Sequence, residues 1–479
     1  MRLTARLLWV IFFCYAVLAA LLFNNILLPL VPSLDAAHGL LPNDASYYHS
    51  IAVRIAETIR LTGWGSLHIW NDSTAGHVAV LASLYALFGN HPSLIIPVNA
   101  AFHATGGVLI FLLARELAPG NVGRYGGFIA ASLFIAFPSA LTWYSQPLKD
   151  SYTQVGVLLI LFGWIRLISN PSNQKAVILS IFSTIISMCL VAFVRPYYIK
   201  ILFVAAILVG IVLLIYYLVR PSKSKQNWKV LAYLLVSVFI LGWGVKYIHA
   251  DNRTLDGIVY DDPFTAVFQI CGDRKNIVSC QWQWQKTAWL PESVEKYVAS
   301  VATVRARLIN YNIIVESGSS IDTNVSPRNV LEVVTYMPRA LQIGLFGPFP
   351  YKWFERLSAI RIVAVFEMVV WYVALCGMFL ALYYLRSAGL FIAIAFSLFI
   401  IGVLSFSSPN MGTLYRFRYA YLFVLLLIGV LGWTHFLLYW KRDLRNKTAI
   451  IPDKAPESID KNLSCAELTK PPIVYFEPA

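Results

Sequence analysis

The sequence predicts an all-α polytopic membrane protein of about ten transmembrane helices, with an external amphipathic helix and a large external loop. Three observations carry this. Of its 479 residues, 58% are hydrophobic and only 13% charged, and the mean hydropathy of +0.65 lies outside the range of soluble globular chains. Apolar runs recur that reach the ~20 residues needed to cross a ~30 Å hydrocarbon layer. Lys and Arg collect in short segments between those runs, which is how cytoplasmic loops sort. The net charge of +14 belongs to that sorting, and no nucleic-acid-binding motif accompanies it.

Taken in order, Arg2 and Arg6 precede an apolar run at 7–31, too long for a signal-peptide core and read as an uncleaved first span with its N-terminus inside. The polar stretch 41–61 follows. At helical spacing Tyr48, Ile51, Ala52, Ile55 and Ile59 form an apolar stripe, and Ser50, Arg54, Glu57 and Arg60 a wet face. That pattern predicts a helix lying on the bilayer surface. The apolar segment 75–89 is too short to cross and is read as interfacial or re-entrant. Further spans are expected at 93–114, 125–143, 152–168, 176–194, 197–219, 230–248, 359–385, 388–406 and 419–439.

Parity agrees with this count. Arg220, Lys223, Lys225 and Lys229 form one basic loop, and Lys441, Arg442, Arg445 and Lys447 another. Both belong on the cytoplasmic side, and the N-terminus and the loops 115–124 and 166–175 join them only if 75–89 does not cross. The stretches 32–92 and 249–358 then lie outside. The chain divides accordingly into a transmembrane module 1–248 with its first external loop at 32–92, an external loop domain 249–358, C-terminal helices 359–440 and a cytoplasmic tail 441–479, which reads as disordered. Cys14, Cys189 and Cys376 fall in spans and Cys465 in the tail, leaving Cys271 and Cys280 as the external pair. Whether those two form a disulfide stays open, because sequence does not fix their separation.

Several charges sit where sorting disfavours them. Lys149, Arg195, Arg416 and Arg418 fall at outer ends of spans, and Arg339 lies before the eighth. Cations gathered there suit an anionic ligand such as phosphate, the alternative being that long side chains snorkel to the interface. Asp44 opens the amphipathic helix and Asp150 opens the fourth span, both on the same outer face; each also suits plain helix capping. Glu367 lies about two turns inside the eighth span, where an unpaired charge is costly. It therefore either serves the ligand or pairs with a basic neighbour. His49, near Asp44 on the same helix, is placed to assist proton transfer or simply to satisfy an interfacial contact. No His or carboxylate spacing completes a metal shell; a divalent cation would have Asp44 and Asp150 as two single ligands from distant loops, and no cofactor is assigned.

The segments PNDASYYHSIA at 42–52, LYALFG at 84–89 and FPSALTWYSQPLKDSY at 137–152, with YRFRYAYLFVLLLIGVLGW at 415–433, resemble the GT-C superfamily of membrane glycosyltransferases that use polyprenyl-phosphate-linked sugars. The likeness is best over the first ~170 residues, and its motifs are short. It implies a GT-C-like fold in which Asp44 is the catalytic base and Asp150 assists. The donor would be a polyprenyl-phosphate sugar, and the location the bacterial inner membrane with both termini cytoplasmic. Asp44 is followed by Ala45 instead of a second acid, and the segment lacks the soluble C-terminal domain of oligosaccharyltransferases. Both departures favour a glycan or lipid acceptor over a protein. The resemblance also implies inversion at the anomeric centre. The aromatic segment PFPYKWF at 348–354 would suit the mouth of a groove for the lipid. Two other readings compete. One is a polymerase of undecaprenyl-diphosphate-linked repeats, for which Arg305 and Arg307 in VRARL would bind the diphosphate. The other is a lipid-linked sugar flippase or transporter, which would more often show an internal repeat and midplane charges.

Overall fold

The computed structural model describes residues 4–31, 39–42, 44–68, 75–219, 225–248, 263–269, 281–315, 318–354 and 359–449. Cys271, Cys280 and the tail beyond 449 lie outside the described residues. Nearly every described element is helical, and among them nine helices are long and apolar enough to span a bilayer, or ten if one bent pair counts as a span.

The first helix, α1 (Ala5–Leu22), runs on through a π turn at Phe23–Leu27. Next comes α2 (Asp44–Thr62), which buries Ala45, Tyr48, Ile51, Ala52, Ala56 and Ile59 while Ser50, Arg54, Glu57 and Arg60 stay exposed. The amphipathic pattern is as expected, but α2 packs on α3 (Gly76–Phe88). Protein, not lipid, therefore covers much of the stripe. With 13 residues α3 is about 20 Å long at 1.5 Å per residue, too short to cross a bilayer.

The central bundle is α4 (Ile96–Leu117), α5 (Gly120–Ala136), α6 (Pro138–Tyr144), α7 (Asp150–Ser169) and α8 (Gln174–Val194). The expected third span at 125–143 is not straight, since α5 and α6 meet at 57°. Pro138 explains the bend. It has no N–H to continue the ladder, and it holds Phe137 in an extended conformation with ψ 121°. Helices α9 (Tyr198–Val219) and α10 (Lys225–Tyr247) follow, and they expose Ile211, Leu214, Val236, Phe239 and Trp243, as lipid-facing sides do.

The segment before the last spans holds a two-stranded antiparallel ribbon, β1 (Val267–Gln269) and β2 (Gln281–Gln283), with Phe268 opposite Trp282. Two helices complete it, α11 (Glu292–Ile314) and α12 (Val330–Phe346). Its core joins Trp282, Trp284, Ala299, Ala302, Ala306, Val333, Tyr336 and Ala340 to Phe406. Phe406 belongs to α14 (Ala388–Ser407), so this region packs directly onto the membrane helices, within the compact unit Met1–Phe436. The remaining helices are α13 (Ala359–Tyr384), α15 (Met411–Phe417) and α16 (Tyr419–Ala449). Among the described residues, 437–449 belong to a second unit.

Candidate functional site

Asp44 is the first residue of α2 and Asp150 the first of α7, each beside the positive end of its helix, where a carboxylate is favoured. A buried knot of amides brings these two chain entries together. The Gln146 side chain, fully buried, donates from Nε2 to Asn24 Oδ1 (2.9 Å) and to the Gly39 carbonyl (3.1 Å), and its Oε1 accepts from the Leu41 backbone N–H (2.9 Å). Asn24 Nδ2 donates to the Ser145 carbonyl (2.9 Å), and Asn99 Nδ2 to that of Gln146 (2.7 Å). The end of α1, the approach to α2, α4 and the turn between α6 and α7 therefore meet at one residue, the first two through the Gln146 side chain and α4 through its carbonyl.

On that frame the charges form a chain. Arg416 donates from Nη2 to Asp44 Oδ2 (2.8 Å), and its Nε lies 3.3 Å from Asp150 Oδ2. Arg195, in the break between α8 and α9, donates from Nη2 to Asp150 Oδ1 (2.7 Å) and from Nη1 to Thr153 Oγ1 (3.3 Å). Phe417 lies under both guanidinium groups, 4.5 Å from that of Arg195 and 5.4 Å from that of Arg416. Lys149 is also buried, with Nζ 5.4 Å from the Tyr48 ring on α2. The exposure gradient sorts the roles: the Asp150 side chain is 2% exposed and Arg195 4%, whereas Arg416 is 19% and Asp44 52%. Burial alone would lower the Arg195 and Arg416 pKa values, yet neighbouring carboxylates outweigh it and hold both above the ordinary arginine value. Asp150 and Arg195 form a locked pair, Arg416 a bridge, and Asp44 the exposed acid.

Five of the nine residues singled out by sequence thus converge: Asp44, Asp150, Lys149, Arg195 and Arg416. The other four are held by different partners. His49 Nδ1 lies 2.7 Å from the Tyr85 hydroxyl on α3. Arg339 donates to Asp322 (3.0 Å) and Gln342 (2.8 Å). Arg418, fully buried, donates to the carbonyls of Ile343, Gly344 and Gly347, closing the C-terminal end of α12; burial lowers its pKa to about 10. Glu367 accepts from the Ser139 backbone N–H (2.8 Å) and the Tyr415 hydroxyl (2.7 Å), so two neutral donors satisfy its carboxylate oxygens.

Arg305 is buried too. It donates to the carbonyls of Val325 (2.8 Å), Phe406 (2.9 Å) and Asp322 (2.7 Å) and to the Tyr336 hydroxyl (3.1 Å). The aromatic segment 348–354 turns back on itself, with Trp353 Nε1 donating to the Pro348 carbonyl (2.8 Å) and Tyr351 and Phe354 exposed. Among the described residues no group of three or more His, Cys, Asp or Glu side chains is arranged to hold a metal ion.

Sequence reading missed Gln146, Asn24, Asn99, Thr153 and Tyr415. The one signal for the first three was polar amides inside or beside apolar runs, which are costly unless mutually bonded.

No family model matches the chain, and no curated protein matches it. Among solved structures, an oligosaccharyltransferase from Archaeoglobus fulgidus in its apo form is similar, with a TM-score of 0.47 and 12% identity, over 92% of this chain and 52% of that one. The chain thus spans about half the length of that protein.

Proposed function

We propose that the chain is a GT-C-type membrane glycosyltransferase that moves a sugar from a polyprenyl-phosphate donor to a glycan or lipid acceptor on the outer face of a bacterial inner membrane. The observation that carries this reading is the chain Asp44–Arg416–Asp150–Arg195, in which one half-exposed carboxylate and one partly exposed guanidinium stand on a buried, charge-compensated base. The acceptor hydroxyl loses its proton to Asp44 as its oxygen attacks the anomeric carbon. The bond from that carbon to the phosphate oxygen breaks, and the phosphate leaves with the electron pair. Arg416 faces that growing charge, with the cations of Arg195 and Lys149 behind it. Asp150 holds both arginines and, being buried, does not touch the sugar. One exposed carboxylate supports direct displacement with inversion, since retention by a covalent intermediate takes two at the reacting carbon.

Of the pair expected to bind a diphosphate, Arg305 donates to three carbonyls and a tyrosine hydroxyl and is not offered to one, while the Arg307 guanidinium lies 5.5 Å from the Phe268 ring; the loss of Arg305 from that pair favours transfer of single residues over polymerisation. The test is Asp44→Asn in the purified full chain, incubated with a glycan and glycolipid extract of bacterial membranes as acceptor and with polyprenyl-phosphate-linked mannose, glucose, galactose and arabinose in turn, with sugar release and thermal stability both measured. Release should fall by ~10²–10⁴-fold, the usual contribution of a general base, with an unaltered melting temperature. Full release from the variant would sink the assignment of Asp44 as base. Absence of release from the unmodified chain on every donor would sink the transferase reading itself.

A further inference from the structure

We propose that Gln146 is the positioning residue of this site, the one side chain that sets Asp44 against the Arg416–Asp150–Arg195 chain; this rests on the reading of Asp44 as the base. Gln146 stands four residues before Asp150, and Leu41, which it binds, stands three before Asp44. Those spacings leave little slack, because Ser46 Oγ donates to the Leu41 carbonyl (3.0 Å) and ties Leu41 to the first turn of α2. On the other side the Leu148 N–H donates to the Gln146 carbonyl (2.7 Å), tightening the turn that leads into α7.

The approach is shaped for this amide. Gly39 has φ +73°, and a Cβ there would lie 2.6 Å from the Asn24 carbonyl oxygen, so the chain passes close enough for Gln146 to reach both Asn24 and Gly39 only without a side chain at that point. Both Nε2 hydrogens and the Oε1 acceptor are engaged, one with Asn24 at the end of α1 and two with Gly39 and Leu41 in the approach to α2. Asn24 reciprocates on the neighbouring Ser145 carbonyl. A hydrophobic residue at 146 would keep the apolar packing but would leave the Leu41 N–H, the Gly39 carbonyl and Asn24 Oδ1 without this partner, and it would not fix the entry to α2 in register with α7. A displacement of about 1 Å at a reacting group can lower a rate by ~100-fold, so this amide acts on catalysis without touching substrate.

The experiment compares the full chain with Gln146→Leu and Gln146→Glu. Hydrogen exchange is followed at 41–52, with 176–194 as an internal control, and kcat and donor KM are measured on the polyprenyl-phosphate sugar that the unmodified chain turns over. Gln146→Leu is expected to speed exchange at 41–52 alone and to lower kcat by about 100-fold, with KM within about threefold of the unmodified value. Gln146→Glu keeps the acceptor for Leu41 and should lose about tenfold in kcat, so the proposal stays testable if the leucine variant does not fold. Unchanged exchange at 41–52, or an effect confined to KM, would overturn it. If the unmodified chain transfers no sugar, the transferase reading fails, and the exchange data still decide whether Gln146 sets the entry to α2.

Discussion

Arg416 is the residue on which the site turns, because one planar guanidinium reaches Asp44 through Nη2 and Asp150 through Nε. Lysine carries the same charge as a single point and cannot span both acids. Arg416→Lys is therefore expected to fold but to lose ~10²-fold in sugar release, the scale of one charge-stabilising donor, as a transfer assay against the unmodified chain would show. Arg195→Met should act on stability instead. It deprives the buried Asp150 of its 2.7 Å partner but leaves Arg416 Nε 3.3 Å from the same carboxylate, so the loss should stay below the about 3–5 kcal/mol of a buried charge left with no partner, visible as a lower melting temperature. A third residue-scale outcome concerns pH. Burial raises the Asp322 pKa, but hydrogen bonds from Arg339 and Tyr336 outweigh it, so the folded value lies below the ordinary carboxylate value. A depressed folded pKa contributes stability that is fully present above the unfolded value of about 3.9 and is lost as pH falls through the folded value. Asp322 has φ +48°, a conformation asparagine tolerates, so Asp322→Asn isolates the charge. Melting temperatures of the two chains should differ at pH 7 and converge below about pH 4. A constant gap would show that the ion pair does not contribute.

At the scale of elements, close approach of helix backbones depends on glycine. A Cβ at Gly429 on α16 would lie 2.1 Å from the Ala374 carbonyl oxygen on α13, whereas at Gly210 on α9 nothing lies within 4 Å. Small residues at such crossings replace the hydrophobic drive that lipid cannot supply between membrane helices. Gly429→Ala should destabilise by about 1–3 kcal/mol through overpacking. Gly210→Ala should be neutral or stabilise by about 0.5–1 kcal/mol, the usual cost of a helical glycine relative to alanine. Melting temperatures in detergent check both, and equal effects at the two sites would contradict the α13–α16 packing. The bend between α5 and α6 belongs to this scale too. Apolar composition from 125 to 143 reads as one continuous span, but Pro138 interrupts the ladder, and Ser139 is left to donate to Glu367.

For the whole molecule, the proposal places 249–358 and the site on the outer face and the loops 166–175 and 220–229 within. In a chain whose native cysteines are replaced by serine, Trp289→Cys, at a position 77% exposed, should react with a membrane-impermeant maleimide on intact cells. Gln174→Cys, at the exposed first position of α8, should react only after permeabilisation. The opposite pattern would invert the topology and put the Asp44 site on the cytoplasmic side.

The all-helical membrane class, the positions of most spans, the short α3 and the amphipathic face of α2 were all legible in sequence, because length and periodicity of apolar residues are local properties that a bilayer reads directly. So was the suspicion attached to Asp44, Asp150, Lys149, Arg195 and Arg416, since a charge at a span end is conspicuous one residue at a time. Only the tertiary structure decided which charges meet. Arg416 and Arg418 are two residues apart, yet one bridges two acids while the other is spent on carbonyls of α12. Successive helical positions point about 100° apart, so neighbours in sequence face different surroundings. The pairing of Asp44 with Arg416 spans 372 positions. It depends on the buried amides at Asn24, Asn99 and Gln146, and hydrogen bonds between distant side chains leave no period in a sequence for composition to detect.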